Sequence, residues 1–475
     1  MRGEVVPGAG EKSKEGRHVG VEVALRAALR RELPAAVALR RELHAAPRVS
    51  GQEAPTLKRV IDALPEGAVE HVAGTGAVLR IGGPGAAVGV RGELDALPIV
   101  ERTGVPWAAA NGAMHACGHD VHLAAVVALA RAIAATGSED VERADARTVA
   151  EAAARGAADA VIDPEIVAEA GPEAATAAEV AAEAAAEGAV EAAAEAVSGG
   201  ELAPLVVVLQ PREETFPSGA LDVVTSGVLD RHRVHAMIGA HVQPVLDEGT
   251  IACTPGPVNA SSDEFRVTVK GGEGHAAYPH LARDPVLAMA QVIVAAQQLV
   301  SRAADPMVPT VVTFGTVNAG STPNAVPGEA VARGTLRTMS EGWRERLQRR
   351  FAQVAENTAR AYGCTAEVEI LPGEPMLVND RALAARAGDR LREQGWAVND
   401  ELRSCGADDF ARYGDVAASL MMFVGVDTAS GLHSPGFLPD DDAVGAVAEA
   451  LLAGYLAASS STSGTRLHTG HETHR

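Results

Sequence analysis

The chain has 475 residues, 47% of them hydrophobic, and a formal net charge of −21. A pI near 5.2 and a mean hydropathy of +0.06 fit a folded acidic protein and argue against nucleic acid or an anionic membrane surface as partner. The length allows roughly two to four domains, and the four scattered cysteines, Cys117, Cys253, Cys364 and Cys405, form no disulfide framework and suit a reducing cytosol.

Residues 1–20 are Gly- and charge-rich, so a disordered start without a signal peptide is expected. No uninterrupted apolar run approaches the length of a bilayer span, so no transmembrane helix is expected. From Val21 to His44 the pattern is helical. It ends in R-R-E-L-H-A-A-P-R-V-S-G-Q-E, where Pro47 stops the helix and Ser50 and Glu53 have capping-box spacing. His44 reads as a packing residue at the helix end. Between Gly76 and Leu97 two short apolar runs read as buried strands. The second carries Glu93 and Asp95 at its C-terminal end, where open α/β sheets place their sites.

The stretch M-H-A-C-G-H-D-V-H, Met114 to His122, concentrates three histidines, a cysteine and an aspartate. Thiolate and imidazole are ligands that Zn²⁺ and similar metals prefer. An apolar, Ala-rich run follows and reads as a buried helix. Cys117 is therefore expected at a helix N-terminus, with its thiol pKa lowered. Residues 137–200 then break the composition: 25 Ala, 11 Glu and 4 Asp stand against 3 Arg. With Glu every four residues from Glu179 to Glu195, they read as an exposed, partly frayed helical insertion.

Leu202 to Phe216 is a buried strand that ends in Pro211 and then delivers Glu213 and Glu214. Adjacent acids past a strand end suit hydrolytic metal chemistry, one as ligand and one as general base. Ala236 to Pro244 is a further short strand, ending in His241. From about Pro257 the texture changes to alternating strands and two helices, about Asp284–Val300 and Gly342–Ala361. The order strand–helix–strand–strand–helix–strand is that of a ferredoxin-like unit. His275 lies in its first Gly-rich turn. After about Pro375 the α/β texture returns, with a helix Arg381–Gln394, C-G-A-D-D-F, an apolar strand, His433 on a loop and a last helix, Val444–Ala458. The Ser/Thr- and His-containing tail is low-complexity.

Nine segments now stand in one order: R-R-E-L-H-A-A-P, E-L-D-A-L-P-I-V-E-R-T-G-V-P-W, M-H-A-C-G-H-D-V-H, Q-P-R-E-E, G-A-H-V-Q-P, G-G-E-G-H-A-A-Y-P-H, P-N-A-V-P, R-G-T-L-R-T and L-H-S-P-G-F. Together they resemble the metal-dependent amidohydrolases that include hippurate hydrolase, indole-acetyl-amino-acid hydrolases and N-acyl-amino-acid deacylases, within the dinuclear-metal carboxypeptidase and aminoacylase superfamily. The resemblance runs from Val21 to Tyr455, apart from the insertion. It implies an α/β fold: a three-layer catalytic domain with a mostly parallel central sheet, plus an inserted ferredoxin-like α+β lid and dimerisation domain. The expected division is a disordered start at 1–20, catalytic residues 21–256 (with the insertion at 137–200), a lid at 257–372, catalytic residues 373–458 and a disordered tail at 459–475.

The same resemblance implies two divalent metal ions per subunit (Mn²⁺, Zn²⁺ or Co²⁺), with Cys117, His119, Glu214, His241 and His433 as ligands. Glu213 would be the general base and Asp95 the residue orienting a metal-bound histidine. His275 would steady the oxyanion, reaching into a partner subunit's site, and Asn324 and Arg337 would lie near the substrate. The implied reaction cleaves the amide of an N-acyl or N-aroyl amino acid with a metal-activated water, in a cytoplasmic homodimer or homotetramer that binds neither nucleic acid nor membrane. Hydrolysis of another small amide, or a metal-binding relative without catalysis, are the alternatives. Four positions depart from the family pattern: Glu93 stands for Asp, Arg212 for Ala, Gln243 for Trp, and G-A-D-D-F for G-S-E-D-F. Arg212 could lower the pKa of Glu213, narrow the choice of substrate, or simply face solvent.

Overall fold

The computed structural model describes residues 9–136 and 202–460. The expected insertion at 137–200 and the tail from 461 onward lie outside the described residues. The first helix, α1 (Ala9–Ala45), begins well before Val21, replacing the disordered start expected over 9–20. No proline or cap interrupts E-K-S-K-E-G-R before Val21, so no signal there stops the helix. Helix α2 (Ala54–Ala63) follows.

The large sheet is built from β1 (Val69–Val72), β2 (Gly76–Ile81), β3 (Ala87–Glu93), β4 (Leu205–Gln210), β5 (Val234–Gln243), β6 (Thr250–Ala252), β15 (Ala397–Asn399) and β16 (Ala418–Gly425). Its order is β1-β2-β4-β3-β5-β16-β6-β15. The central pairs β4–β3, β3–β5 and β5–β16 are parallel, as is β6–β15. Strands β3 and β4 are buried along their whole length, which is why β4 reads as an almost unbroken apolar run, while β3 buries Arg91 and Glu93 among its apolar residues. One face is covered by α1, α3 (His119–Thr136), α8 (Arg381–Glu393) and α9 (Asp442–Ser459), through residues such as Leu25, Leu129, Leu383 and Leu451. The other face carries α4 (Gly219–Thr225), α5 (Val228–Arg231) and the rings of Phe410 and Tyr413. A small ribbon of β7 (Gly256–Asn259) and β14 (Leu377–Asn379) pairs the segments entering and leaving the second sheet.

That second sheet is wholly antiparallel: β8 (Ser261–Lys270), β10 (Thr310–Ala319), β12 (Glu329–Thr338) and β13 (Thr365–Pro372) stand in the order β10-β12-β8-β13. Helices α6 (Pro285–Ala296) and α7 (Glu341–Ala361) pack on it around Phe265, Leu347 and Phe351. The chain order is the ferredoxin-like one read from the sequence. Asp284 caps α6 by accepting from the N–H groups of Val286 and Leu287, and Ser340 caps α7. A two-stranded ribbon, β9 (Gly274–His275) with β11 (Ala325–Val326), extends from this unit.

Three described helices are long and apolar enough to cross a membrane by length and composition: His119–Thr136, Pro285–Ala303 and Asp442–Ser459. They qualify although no uninterrupted apolar run is that long, because scattered polar residues do not lower the mean far enough. The first and third are 83% and 78% buried, since they pack into the core over the large sheet.

Candidate active site

The site lies at the ends of the parallel strands. Cys117 and His119 lie on the turn into α3, Glu213 and Glu214 follow β4, and His241 sits near the end of β5. Gly118 makes the turn: its φ is +85°, and a Cβ there would come within 2.4 Å of Val242. His433 arrives on a loop whose backbone N–H bonds Ala116 O at 2.8 Å, and it too is left-handed, at φ 60°.

Cys117, Glu214 and His433 place ligand atoms within 4.8 Å of one another. His433 Nε2 is 3.3 Å from Glu214 Oε1. His119 and His241 stand alongside: Cys117 Sγ is 3.3 Å from His241 Nε2, and His119 Nε2 is 3.7 Å from Glu213 Oε2. All five expected ligands are thus brought into one pocket with Glu213. Both buried imidazoles are oriented by backbone carbonyls. His119 Nδ1 faces Asp95 O at 2.8 Å and His241 Nδ1 faces Val242 O at 2.7 Å, so each presents an Nε2 lone pair to the pocket. His119 Nε2 is buried without a hydrogen-bond partner. Sulfur, nitrogen and oxygen donors around such an orphaned nitrogen fit divalent metal.

His122 also lies in this group, its ring 4.6 Å from that of His241, but it is no ligand. Its Nδ1 faces Glu93 Oε1 at 3.2 Å and its Nε2 accepts from Val242 N–H at 3.0 Å, so both nitrogens are used.

Asp95 does something the sequence did not suggest. Its carboxylate accepts from the backbone N–H groups of Glu213 (3.1 Å) and Glu214 (3.0 Å), and from Ser50 Oγ at 2.7 Å. The atom that meets His119 at hydrogen-bond distance is its backbone oxygen, while its carboxylate is 3.8 Å away. Glu53 completes this clamp. Fully buried, it accepts from Arg212 N–H at 3.0 Å, from Gly51 N–H at 2.8 Å and from Thr75 Oγ1 at 2.6 Å. The expected capping box of Ser50 and Glu53 therefore does not form, because both side chains are drawn to buried partners. Arg212 is held left-handed at φ 51°, and its guanidinium turns to Ala73 O and Asp222 rather than to Glu213.

Electrostatics follow from burial. Burial first, then Glu214 and Asp408, push the Glu213 carboxyl well above the usual range. Glu214 is held low despite burial, chiefly by its bond to His433. Burial, then Glu214 and Glu213, push the Cys117 thiol well up. This reverses the lowering expected from the helix N-terminus: one dipole end does not offset desolvation beside two carboxylates. His241 is pushed down to about 4 by burial and His122.

Behind this pocket His44 is buried between two carboxylates, with Nδ1 3.0 Å from Asp120 and Nε2 3.1 Å from Glu101, and its ring packs edge-on against Trp107. Burial opposes its charge, but Asp120 and then Glu101 raise its pKa. The resulting stability is present below the ordinary histidine pKa of about 6.5 and is lost as pH rises through the raised value. H44Q is expected to cost about 3 kcal/mol near pH 6 and progressively less toward pH 9, measured by urea unfolding. A cost independent of pH would mean that His44 is neutral.

The remaining expected residues lie on the second unit, Arg337 on its four-stranded sheet and His275 and Asn324 at the β9–β11 ribbon. His275 is exposed, faces Ala325 across the β9–β11 ribbon and stacks on Tyr278 at 5.5 Å. Asn324 is its neighbour there, its carbonyl accepting from Ala276 N–H at 3.1 Å. Arg337 Nη1 donates to Cys405 O at 3.0 Å, across to the loop before Asp408. Among the described residues, none of these three bonds to the metal-ligand group.

Comparison with known proteins agrees with this geometry. The model for peptidase family M20/M25/M40 matches residues 89–181, and that for the peptidase dimerisation domain matches 259–363. An N-acetyl-L-cysteine deacetylase of Bacillus subtilis (strain 168) is 30% identical over 414 residues, covering 86% of this chain and 84% of that protein. The chain belongs to the M20 peptidase family. An N-acetyldiaminopimelate deacetylase of Exiguobacterium sibiricum is 28% identical over 417 residues, covering 86% of this chain and 95% of that protein. The crystal structure of the Bacillus subtilis YXEP protein, a dinuclear metal binding peptidase from the M20 family, superposes with a TM-score of 0.67 at 26% identity, over 91% of this chain and 99% of that one. This M20 chain is a metallo-amidohydrolase, built on a large mixed sheet with a dimerisation unit.

Proposed function

We propose that the protein hydrolyses the amide bond of N-acyl or N-aroyl amino acids, releasing a carboxylic acid and a free amino acid. The observation that carries this reading is the Glu213–Glu214 pair, clamped by Asp95 opposite the unpartnered Nε2 of His119. Cys117, His119, Glu214, His241 and His433 would hold two divalent ions, Mn²⁺, Zn²⁺ or Co²⁺. When bound, such ions lower the pKa of a water and polarise a carbonyl. Glu213 takes the proton of the attacking water and passes it to the leaving amine, within reach of both because its backbone is fixed. Asp95 keeps the pair in place and, through its carbonyl, keeps His119 in the tautomer that leaves Nε2 free.

Residues 257–372 act as lid and dimerisation unit in this reading. His275 then adds a donor to the oxyanion in the partner subunit's site, with Asn324 and Arg337 lining the substrate side of the lid. The exposure of His275 and Tyr278 supports a role completed by a second chain. The compartment is the cytoplasm, where a free Cys117 stays reduced.

The test is amino-acid release from N-acetyl, N-benzoyl and indole-acetyl amino acids by chain stripped of metal and reloaded with Mn²⁺, Zn²⁺ or Co²⁺. Metal-dependent release from any of them supports the reading. Loading with no release from the panel would transfer it to another small amide or to a relative without catalysis.

A further inference from the structure

We infer that Arg91 is a positioning residue that fixes the Glu213 loop against the histidine side of the metal pocket, through Glu93 on one side and the adjacent Asp408 and Asp409 on the other, with the lengths of Glu93 and Asp408 matched across its fork. The inference rests on the metal-site reading above.

Arg91 is a fully buried arginine inside a fully buried strand, β3. Its guanidinium is shared. Nη2 donates to Glu93 Oε1 at 2.7 Å, while Nη1 donates to Asp408 Oδ1 at 2.9 Å and to Asp409 Oδ1 at 3.1 Å. Nη2 also reaches Asp408 Oδ2 at 3.3 Å, so the contact with Asp408 is forked, and the guanidinium lies over the Phe410 ring at 5.1 Å. Four buried ionisable groups are costly to assemble, and apolar residues would fill such a space more cheaply. What this cluster connects explains its presence.

On one side, Glu93 Oε1 also faces His122 Nδ1, and His122 receives the Val242 N–H next to His241. On the other, Asp409 accepts from Gln210 Nε2 at 2.8 Å and from Ala220 N–H at 3.2 Å. Gln210 and Ala220 bracket the loop that carries Glu213 and Glu214. Glu213 itself has a carboxylate oxygen within 4.8 Å of oxygens of Asp408 and Asp409. Among the described residues, Arg91 is thus the one cation common to the loop of the base and to the chain of contacts ending beside His241. A planar fork held from both ends accepts little variation in either arm. Shortening Glu93 draws the guanidinium toward residue 93, and lengthening Asp408 pushes it the same way. Each change alone breaks one end of the bridge, and both together restore it.

The experiment compares wild type, E93D, D408E and E93D/D408E, with R91K as a change that keeps the charge and loses the fork. Each metal-free chain is titrated with Co²⁺, recording affinity and the visible spectrum, and kcat and KM are then measured with the best substrate of the panel. Each single length change is expected to weaken Co²⁺ binding at least about tenfold and to alter the spectrum. kcat should fall by a similar factor with little change in KM. The double change should return all three to within about threefold of wild type, and R91K should resemble the single changes. Length changes are smaller than removal of Arg91, and a melting curve of each metal-free chain separates misfolding from mispositioning. Losses that simply add in the double variant, or single variants indistinguishable from wild type, would overturn the inference while leaving the metal site intact. A wild type that takes up no Co²⁺ would overturn the metal-site reading, and this inference with it.

Discussion

Replacing Glu213 with Gln is expected to lower turnover about 10²- to 10⁴-fold while leaving two metals bound and KM nearly unchanged. The substitution removes one charge and keeps the shape. Asp95 holds residue 213 by its backbone N–H, not by its side chain, so the loop has no reason to move. Glu214, His119 and Cys117 keep their own contacts and their ligand atoms. What is lost is the proton acceptor 3.7 Å from His119. In the metal-free chain, burial and then Glu214 and Asp408 push this carboxyl up, so it keeps its proton to higher pH than an ordinary glutamate. A base is active when deprotonated. The rate should therefore fall as pH drops through the Glu213 pKa, and the residual rate of E213Q should lack that limb. Metal content by mass spectrometry and turnover on the best substrate decide the case. Turnover within tenfold of wild type would remove Glu213 from the role, and lost metal would make it a ligand.

Of the proposed ligands, Cys117, His119, Glu214 and His241 were legible because each sits where a strong local pattern ends, whereas His433 stood on a loop and came only from the resemblance. Cys117 and His119 precede an apolar helix, Glu213 and Glu214 follow an unbroken apolar strand, and His241 closes another. Parallel strands deliver their ends to one edge, so motifs far apart in sequence meet. The supports of the site were not legible, because they join elements through contacts that no local spacing encodes. Ser50 and Glu53 have the sequence of a cap, yet they reach Asp95 and Arg212 instead. Arg91 and Glu93 lie two apart in a strand, which tells only that they share a face. That the face also meets Asp408 depends on the register of β16 and the turn before it. The direction of the Cys117 pKa failed for a related reason: the helix terminus is visible in sequence, while the burial that dominates it, and the carboxylates after β4 that add to it, come from the packed fold. His275 and Asn324 stand at the β9–β11 ribbon and Arg337 on the antiparallel sheet, and among the described residues none of them bonds to the proposed ligands.

Replacing Cys117 with Ala should abolish tight metal binding, the second large effect. The sulfur touches both parts of the pocket, grouped with Glu214 and His433 on one side and 3.3 Å from His241 Nε2 on the other. Removing even a residue that only supports a ligand commonly costs 10- to 100-fold in affinity, so losing this shared donor is expected to cost more than about 100-fold. The metal-free chain should be almost unaffected. There the thiol is buried and neutral, raised by burial and by Glu214 and Glu213, so its removal leaves no buried charge unpaired and only a small void. Wild type, by contrast, should gain about 2.7 kcal/mol of stability at a metal concentration 100 times its dissociation constant. The signature is a melting temperature that rises with added Zn²⁺ or Mn²⁺ in wild type and stays flat in C117A, from nearly the same metal-free starting point. A C117A chain that still takes up two metals and melts higher with them would take the sulfur out of the site and leave the histidines and Glu214 to hold the ions alone.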